Sequence, residues 1–231
     1  MTAIVSNLQA IRRSVTQASH AAARDAAGIT LLAVSKTFPA DAVREAHTAG
    51  QRAFGENYVQ EALQKIAALR DLPLEWHFIG PIQSNKTRII AENFSWVHSV
   101  DRLKIAQRLS EQRPPLLPPL NICLQVNVSG EDSKSGVALE EAEALALQVA
   151  GLPHLRLRGL MAIPAPADDP AAQRLPFAQM RALLQQLNSR GLQLDTLSMG
   201  MSHDYAAAIA EGATIVRVGT AIFGARAKPP A

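Results

Sequence analysis

Leu31-Leu32-Ala33-Val34-Ser35-Lys36-Thr37 is the stretch that decides the fold. It is an unbroken apolar run between Gly28 and Pro39, closed by a serine, a lysine and a threonine. A run so short, with no polar alternation, suits a strand buried on both faces, as in a parallel sheet covered by helices. Seven further runs resemble it, beginning near Gln51 (QRAFGEN), Glu75 (EWHFIG), Ser95 (SWVHSV), Leu120 (LNICLQVNV), Arg156 (RLRGLMAI), Gln193 (QLDTLSMG) and Thr214 (TIVRVG). Between them, helical periodicity covers residues 41–49, 59–69, 102–112, 139–150, 177–189 and 203–210. Ahead of the first strand, Ile4, Leu8, Ile11, Val15, Ala18 and Ala22 recur at helical spacing up to Gly28, so residues 1–27 read as one amphipathic helix. Strands alternating with helices predict a parallel sheet, and eight strands is the number that closes a (β/α)8 TIM barrel. The expected fold is therefore α/β, a single TIM barrel with an extra N-terminal helix. The rival is an open doubly wound sheet, but no GxGxxG follows a strand. The proline-bearing stretches 113–119 and 164–176 read as loops between units rather than interdomain linkers.

Composition sets the outer bounds. At 231 residues the chain has length for one or two domains, and a single barrel uses all of it. Residues 1–231 therefore read as one domain, with its core motifs over 31–226 and a loose tail at 227–231. Hydrophobic residues at 48% and charged residues at 19% exclude a disordered chain. The net charge of +3 is spread without a run of five like charges, so no nucleic-acid partner is expected. No apolar stretch approaches the roughly 18 residues of a membrane span. Ile4 and Val5 precede Arg12 and Arg13, the reverse of the order in a signal peptide. The lone Cys123 permits no internal disulfide, and no cysteine or histidine pair has zinc spacing, so no metal is expected and a cytoplasmic location fits.

The working face of a barrel lies at the C-terminal ends of its strands, so the polar residues just after each apolar run carry the chemistry. Lys36 ends the first strand. It either snorkels into solvent or serves as an amine kept neutral enough to attack a carbonyl and hold a Schiff base. Arg217 interrupts the last strand between Val216 and Val218, which implies a specific acceptor: a structural carboxylate or a ligand. Gly219-Thr220 follows it, and Met199-Gly200-Met201-Ser202 follows the seventh strand. These are the loops where many barrels hold phosphate, although Ser202 also suits a helix N-cap. Asn57 after the second strand could bond a ring substituent or simply cap a turn. Residues 129–136, polar and bracketed by glycine, suit a mobile loop over the mouth or a plain exposed connection. His77 and His98, inside apolar strands, read as satisfied core histidines.

Six ordered motifs carry a resemblance. LLAVSKT (31–37), FGENYVQE (54–61), WHFIGPIQSNK (76–86), VNVSGEDSKSG (126–136), SMGMSHDY (198–205) and VRVGTAIFGAR (216–226) together resemble the pyridoxal-phosphate homeostasis protein family, the YggS and PROSC type. The resemblance implies a barrel like the N-terminal domain of alanine racemase, holding pyridoxal 5′-phosphate (PLP) as a Schiff base on Lys36. It implies phosphate contacts from Ser202, Gly219 and Thr220, an arginine facing the pyridine nitrogen at Arg217, and further contacts from Asn57, Met161, Met199 and Gly200. The implied role is to bind, buffer and deliver the cofactor, with effects on amino-acid and keto-acid balance. The implied partners are PLP and the apo-enzymes that receive it, and the implied state is a monomer. An arginine at the ring nitrogen disfavours its protonation, so little catalysis is expected and no catalytic residue is assigned. Lys134 and Lys86 are the candidates to displace Lys36 during transfer. The alternative is a PLP-dependent racemase, which requires a second base. In alanine racemases that base is a tyrosine from a C-terminal domain, for which the five residues after Arg226 leave no room, while Tyr58 and Tyr205 each start a helix near the mouth.

Overall fold

The computed structural model describes residues 2–131 and 135–225. The barrel strands are β1 (Thr30–Val34), β2 (Ala53–Glu56), β3 (Glu75–Phe78), β4 (Trp96–Val100), β5 (Leu120–Asn127), β6 (Leu155–Met161), β7 (Thr196–Ser198) and β8 (Ile215–Val218). Each pairs in parallel with the next, and β1 pairs with β8 through Leu32 opposite Arg217 and Ala33 opposite Val218, which closes the sheet on itself. The expected (β/α)8 barrel is present. Eight helices follow the strands in turn: α2 (Ala40–Thr48), α3 (Val59–Ala68), α4 (Thr87–Asn93), α5 (Leu103–Gln112), α6 (Ala142–Ala150), α7 (Pro170–Ser189), α8 (Tyr205–Ala210) and α9 (Thr220–Phe223). Among the described residues no helix is long and apolar enough to cross a membrane.

The extra N-terminal helix, α1 (Ala3–Ala21), packs Leu8 and Val15 into the core and lies across the seam against α2, α8 and α9. It stops short of the expected residue 27. Ala23 takes φ +53°, and the N–H of Arg24 bonds back to the Ser19 carbonyl at 2.9 Å, a Schellman-type end. The Arg24 guanidinium then bonds the carbonyls of Ile209 and Ala213, holding the chain away from the helix axis.

Other boundaries depart from expectation. Helices α4 and α9 lie where no helical pattern was assigned. Helix α7 begins at Pro170 inside a stretch expected to be loop. Proline at the first helical position gives up an N–H that has no partner there, and Asp169 caps the turn by accepting the N–H of Ala172 at 2.7 Å. Proline density at 164–176 signals a helix start as well as a loop.

Strand alternation sorts side chains into two cores. Leu32, Ala53, Trp96, Cys123, Met161 and Ile215 fill the barrel lumen. The alternate positions, such as Ala33, Phe54, Val97, Val216 and Val218, face the helices in the larger apolar layer. Cys123 is fully buried, and desolvation pushes its thiol up to about 12.

Candidate functional site

The mouth of the barrel gathers all but one of the expected residues, from the ends of five strands. Lys36 follows β1 and is partly buried in a tight turn. Ser35 before it is fully buried, and Thr37 after it takes φ +69°, a left-handed conformation that costs a β-branched residue about 1–3 kcal/mol. An ionic cluster holds that turn. The buried Lys65 Nζ on α3 donates to the Ser35 carbonyl at 2.7 Å, to Glu56 Oε1 at 2.7 Å and to Glu61 Oε1 at 2.6 Å. Glu56 Oε1 also accepts from Ser35 Oγ at 2.6 Å, and Glu61 Oε1 accepts the N–H of Thr37 at 2.5 Å. Burial raises the Glu56 carboxyl above its ordinary range against the pull of Lys65 and Ser35. Glu56, Glu61 and Lys65 had no role in the sequence reading. The signal available was the i, i+4 spacing of Glu61 and Lys65 directly after the GEN of β2.

Arg217 points into the lumen with 4% exposure. Its Nη1 donates to the Ser198 carbonyl at 2.6 Å and to Ser198 Oγ at 2.8 Å, and its Nη2 donates to the Ala162 carbonyl at 2.9 Å. All three acceptors are neutral, so the structural carboxylate that was one explanation for this arginine is not among them. Desolvation brings the guanidinium down to about 10, with Asp204 and Cys123 opposing the shift. A buried cation without an anion bonded to it is costly by itself and suits an anionic or electron-rich ligand.

The loops after β7 and β8 meet beside Arg217. Gly200 has φ +91°, and a Cβ there would lie 2.6 Å from Ala208 Cβ. Its carbonyl accepts the N–H of Arg217 at 2.9 Å, which ties this loop to β8. Gly219 approaches β1 closely, since a Cβ would sit 3.1 Å from the Val34 carbonyl. Ser202 is partly buried and Thr220 exposed. Ser202 is not the cap of α8; Asp204 holds that position, and its Oδ1 accepts the N–H of Met201. Met161 lies in the lumen beneath the mouth, whereas Met199 is buried in the layer under the helices. Met199 is thus separated from the group that lines the barrel.

Asn57, after β2, keeps a buried Oδ1 with no hydrogen-bond partner, an acceptor directed at nothing the protein supplies. A cavity of about 400 Å³ beside it is lined by Tyr58, Ile82, Gln83 and Lys86. The polar loop after β5 is tied at both ends: Asn127 Nδ2 donates to the Glu131 carbonyl and Gln125 Nε2 to that of Ser135. Lys134 lies outside the described residues, as do Arg226 and the expected tail. His77 and His98 are fully buried and hydrogen-bonded to each other at 2.9 Å, satisfied core histidines as expected.

The family described as alanine racemase, N-terminal domain, matches residues 6–227. A curated pyridoxal phosphate homeostasis protein of Pseudomonas aeruginosa is 68% identical over 98% of this chain and 97% of its own length. One from Escherichia coli strain K12 is 55% identical, covering 98% of each. Among solved structures, PipY of Synechococcus elongatus with PLP bound superposes with a TM-score of 0.84 at 40% identity, over 96% of this chain and 100% of PipY. Alanine racemase of Corynebacterium glutamicum shares the fold, with a TM-score of 0.71 at 20% identity; 59% of that chain is covered.

Proposed function

The chain belongs to the family of the alanine racemase N-terminal domain, and from that membership we propose that it is a PLP-binding protein of cofactor homeostasis, which binds, buffers and delivers PLP without efficient turnover. The observation that carries this reading is Arg217: a buried cation, bonded to neutral acceptors, on the strand next to the one that ends in Lys36. The relatives named for PLP homeostasis match nearly end to end, and PipY has been solved with the cofactor bound.

The residues present fit the group. Asn57 Oδ1 is a buried acceptor without a partner, and Gly200 and Gly219 keep the loops beside Arg217 clear of side chains. When bound, the cofactor supplies an aldehyde that condenses with a primary amine, releasing water, and a pyridine ring that withdraws electrons. Lys36 provides the amine, held at the mouth by the turn that Lys65 and Glu61 fasten. Ser202, Gly219 and Thr220 would hold the phosphate, Asn57 would bond a ring substituent, and Gly200 and Met161 would line the rest of the pocket. Met199 contributes through its backbone, because its side chain is committed to the outer layer. Arg217 donates to the ring nitrogen and opposes its protonation, which weakens electron withdrawal and therefore chemistry at the α-carbon. The protein acts as a cytoplasmic monomer, residues 1–231 forming one domain, and apo-enzymes receive the cofactor, with Lys86 or Lys134 displacing Lys36.

Replacement of Lys36 by alanine is the direct test. The variant is expected to give neither the visible absorption band of bound PLP nor a borohydride-reducible adduct; either signal at wild-type strength would remove Lys36 from its role. Solvent-exchange NMR on D- and L-alanine addresses turnover. Slow exchange is expected, and rates of hundreds per second would make the protein a racemase instead.

A further inference from the structure

A hydrogen-bonded chain crosses the barrel lumen from its N-terminal end to Arg217, and its two ends dictate its polarity. Glu75 opens β3 with its side chain 49% exposed and accepts from His77 Nε2 at 2.8 Å. His77, then Trp96 and Arg158, hold the Glu75 carboxyl below its ordinary range, so it is an acceptor only. His77 therefore carries its proton on Nε2. Burial lowers His77 and keeps the ring neutral, which makes its Nδ1 an acceptor. His98 Nε2, 2.9 Å away, must donate to it. Burial, reinforced by His77 and Arg217, holds His98 well below its ordinary value, so its Nδ1 accepts in turn from Ser198 Oγ at 2.7 Å. With its one proton given to His98, Ser198 Oγ can only accept from Arg217 Nη1. Every donor in the series points from the cation at the mouth to the carboxylate at the floor. Arg158, itself paired with Asp195, is a charged neighbour of the Glu75 end and draws that carboxyl down.

We propose that Glu75, His77, His98 and Ser198 are positioning residues that fix the orientation of the Arg217 guanidinium, so that its remaining N–H groups face an aromatic nitrogen placed against it. A guanidinium has five N–H groups. Ser198 and Ala162 take both on Nη1 and one on Nη2, which leaves one on Nη2 and that on Nε for a ligand. A serine hydroxyl turns to suit its neighbours, and the histidine pair removes that freedom here. The inference rests on the mouth being the PLP site, but its first consequence is visible without PLP.

In the ligand-free protein, nitrogen NMR of labelled histidine is expected to show His77 and His98 as neutral Nε2–H tautomers at pH 7.5; an Nδ1–H tautomer at either ring overturns the assigned polarity. Glu75→Gln, at the exposed end, offers a donor as well as an acceptor and is expected to give mixed tautomers at His77. A single unchanged tautomer there removes Glu75 from the device. With PLP added, Ser198→Ala is expected to bind about tenfold more weakly and to shift the ring-nitrogen resonance towards the protonated range, while Ser198→Thr restores both. Wild-type affinity and resonance in Ser198→Ala would overturn the positioning role. Failure of the wild-type protein to bind PLP would sink the proposed function and leave the tautomer result to judge the chain.

Discussion

Lys65 shows how much a single side chain contributes beneath the mouth. It is 4% exposed and holds two carboxylates and the carbonyl before Lys36, so its removal leaves the fully buried Glu56 without a cation. Lys65→Met is expected to destabilise the fold by about 3–5 kcal/mol in urea titrations. The sign of its pH dependence follows from Glu56. A carboxyl whose folded pKa lies above its unfolded value takes up a proton more readily when folded, so stability rises as pH falls through that window. The deficit of Lys65→Met should therefore be smaller at pH 5 than at pH 8, and an equal deficit at both would show that Glu56 is not the group left stranded. Cys123, with its thiol pushed up to about 12 and no exposure, should not react with a thiol reagent at pH 8 until the chain is unfolded; prompt labelling of native protein would contradict its burial. Lys36 and Arg217 were legible because a charge that interrupts or ends an apolar run is anomalous by itself. Glu56 and Lys65 were not, since their meaning lies in a contact between a strand end and a helix nine residues away.

Among the elements, strands were read more faithfully than helix ends. A β-strand buried on both faces announces itself by continuous apolar residues, whereas α1 ends at Ala21 and α7 starts at Pro170 through local hydrogen bonds that hydrophobic periodicity does not record. The period-2 pattern held more than was taken from it. His77, His98, Ser198 and Arg217 all meet in the lumen, and the alternation of each strand with Trp96 or Ile215 would have shown that two of them share it. The loop between β7 and α8 depends on Gly200, where φ is +91° and an added Cβ would lie 2.6 Å from Ala208 Cβ, so no side chain fits. Gly200→Ala is expected to cost about 1–3 kcal/mol and to weaken PLP binding, because the loop must move away from β8. Equal urea midpoints and equal affinity in variant and wild type would show that the loop yields freely.

Across the whole molecule, the two lumen histidines couple stability to acidity. Both are held below the unfolded value of 6.5, His98 well below. Their contribution is therefore fully present above pH 6.5 and is lost as pH falls towards the folded values, because the unfolded chain then binds protons that the barrel refuses. Each histidine contributes a slope of up to about 1.4 kcal/mol per pH unit in that range. The urea midpoint should fall steadily between pH 6.5 and pH 5, and a flat profile would mean that the rings charge in place. The barrel and its closure were legible as a count of eight strand and helix units, although the pairing of β1 with β8 that closes it joins residues nearly two hundred positions apart. That seam has a consequence for the protein during its own synthesis. Lys36 leaves the ribosome well before the strand bearing Arg217, so the pocket comes into being only once β8 has emerged and paired with β1. Under the proposed function, a chain that has not yet made that strand carries the amine of Lys36 without the cation beside it. Under that reading, a reactive aldehyde is withheld only by copies in which the barrel has closed.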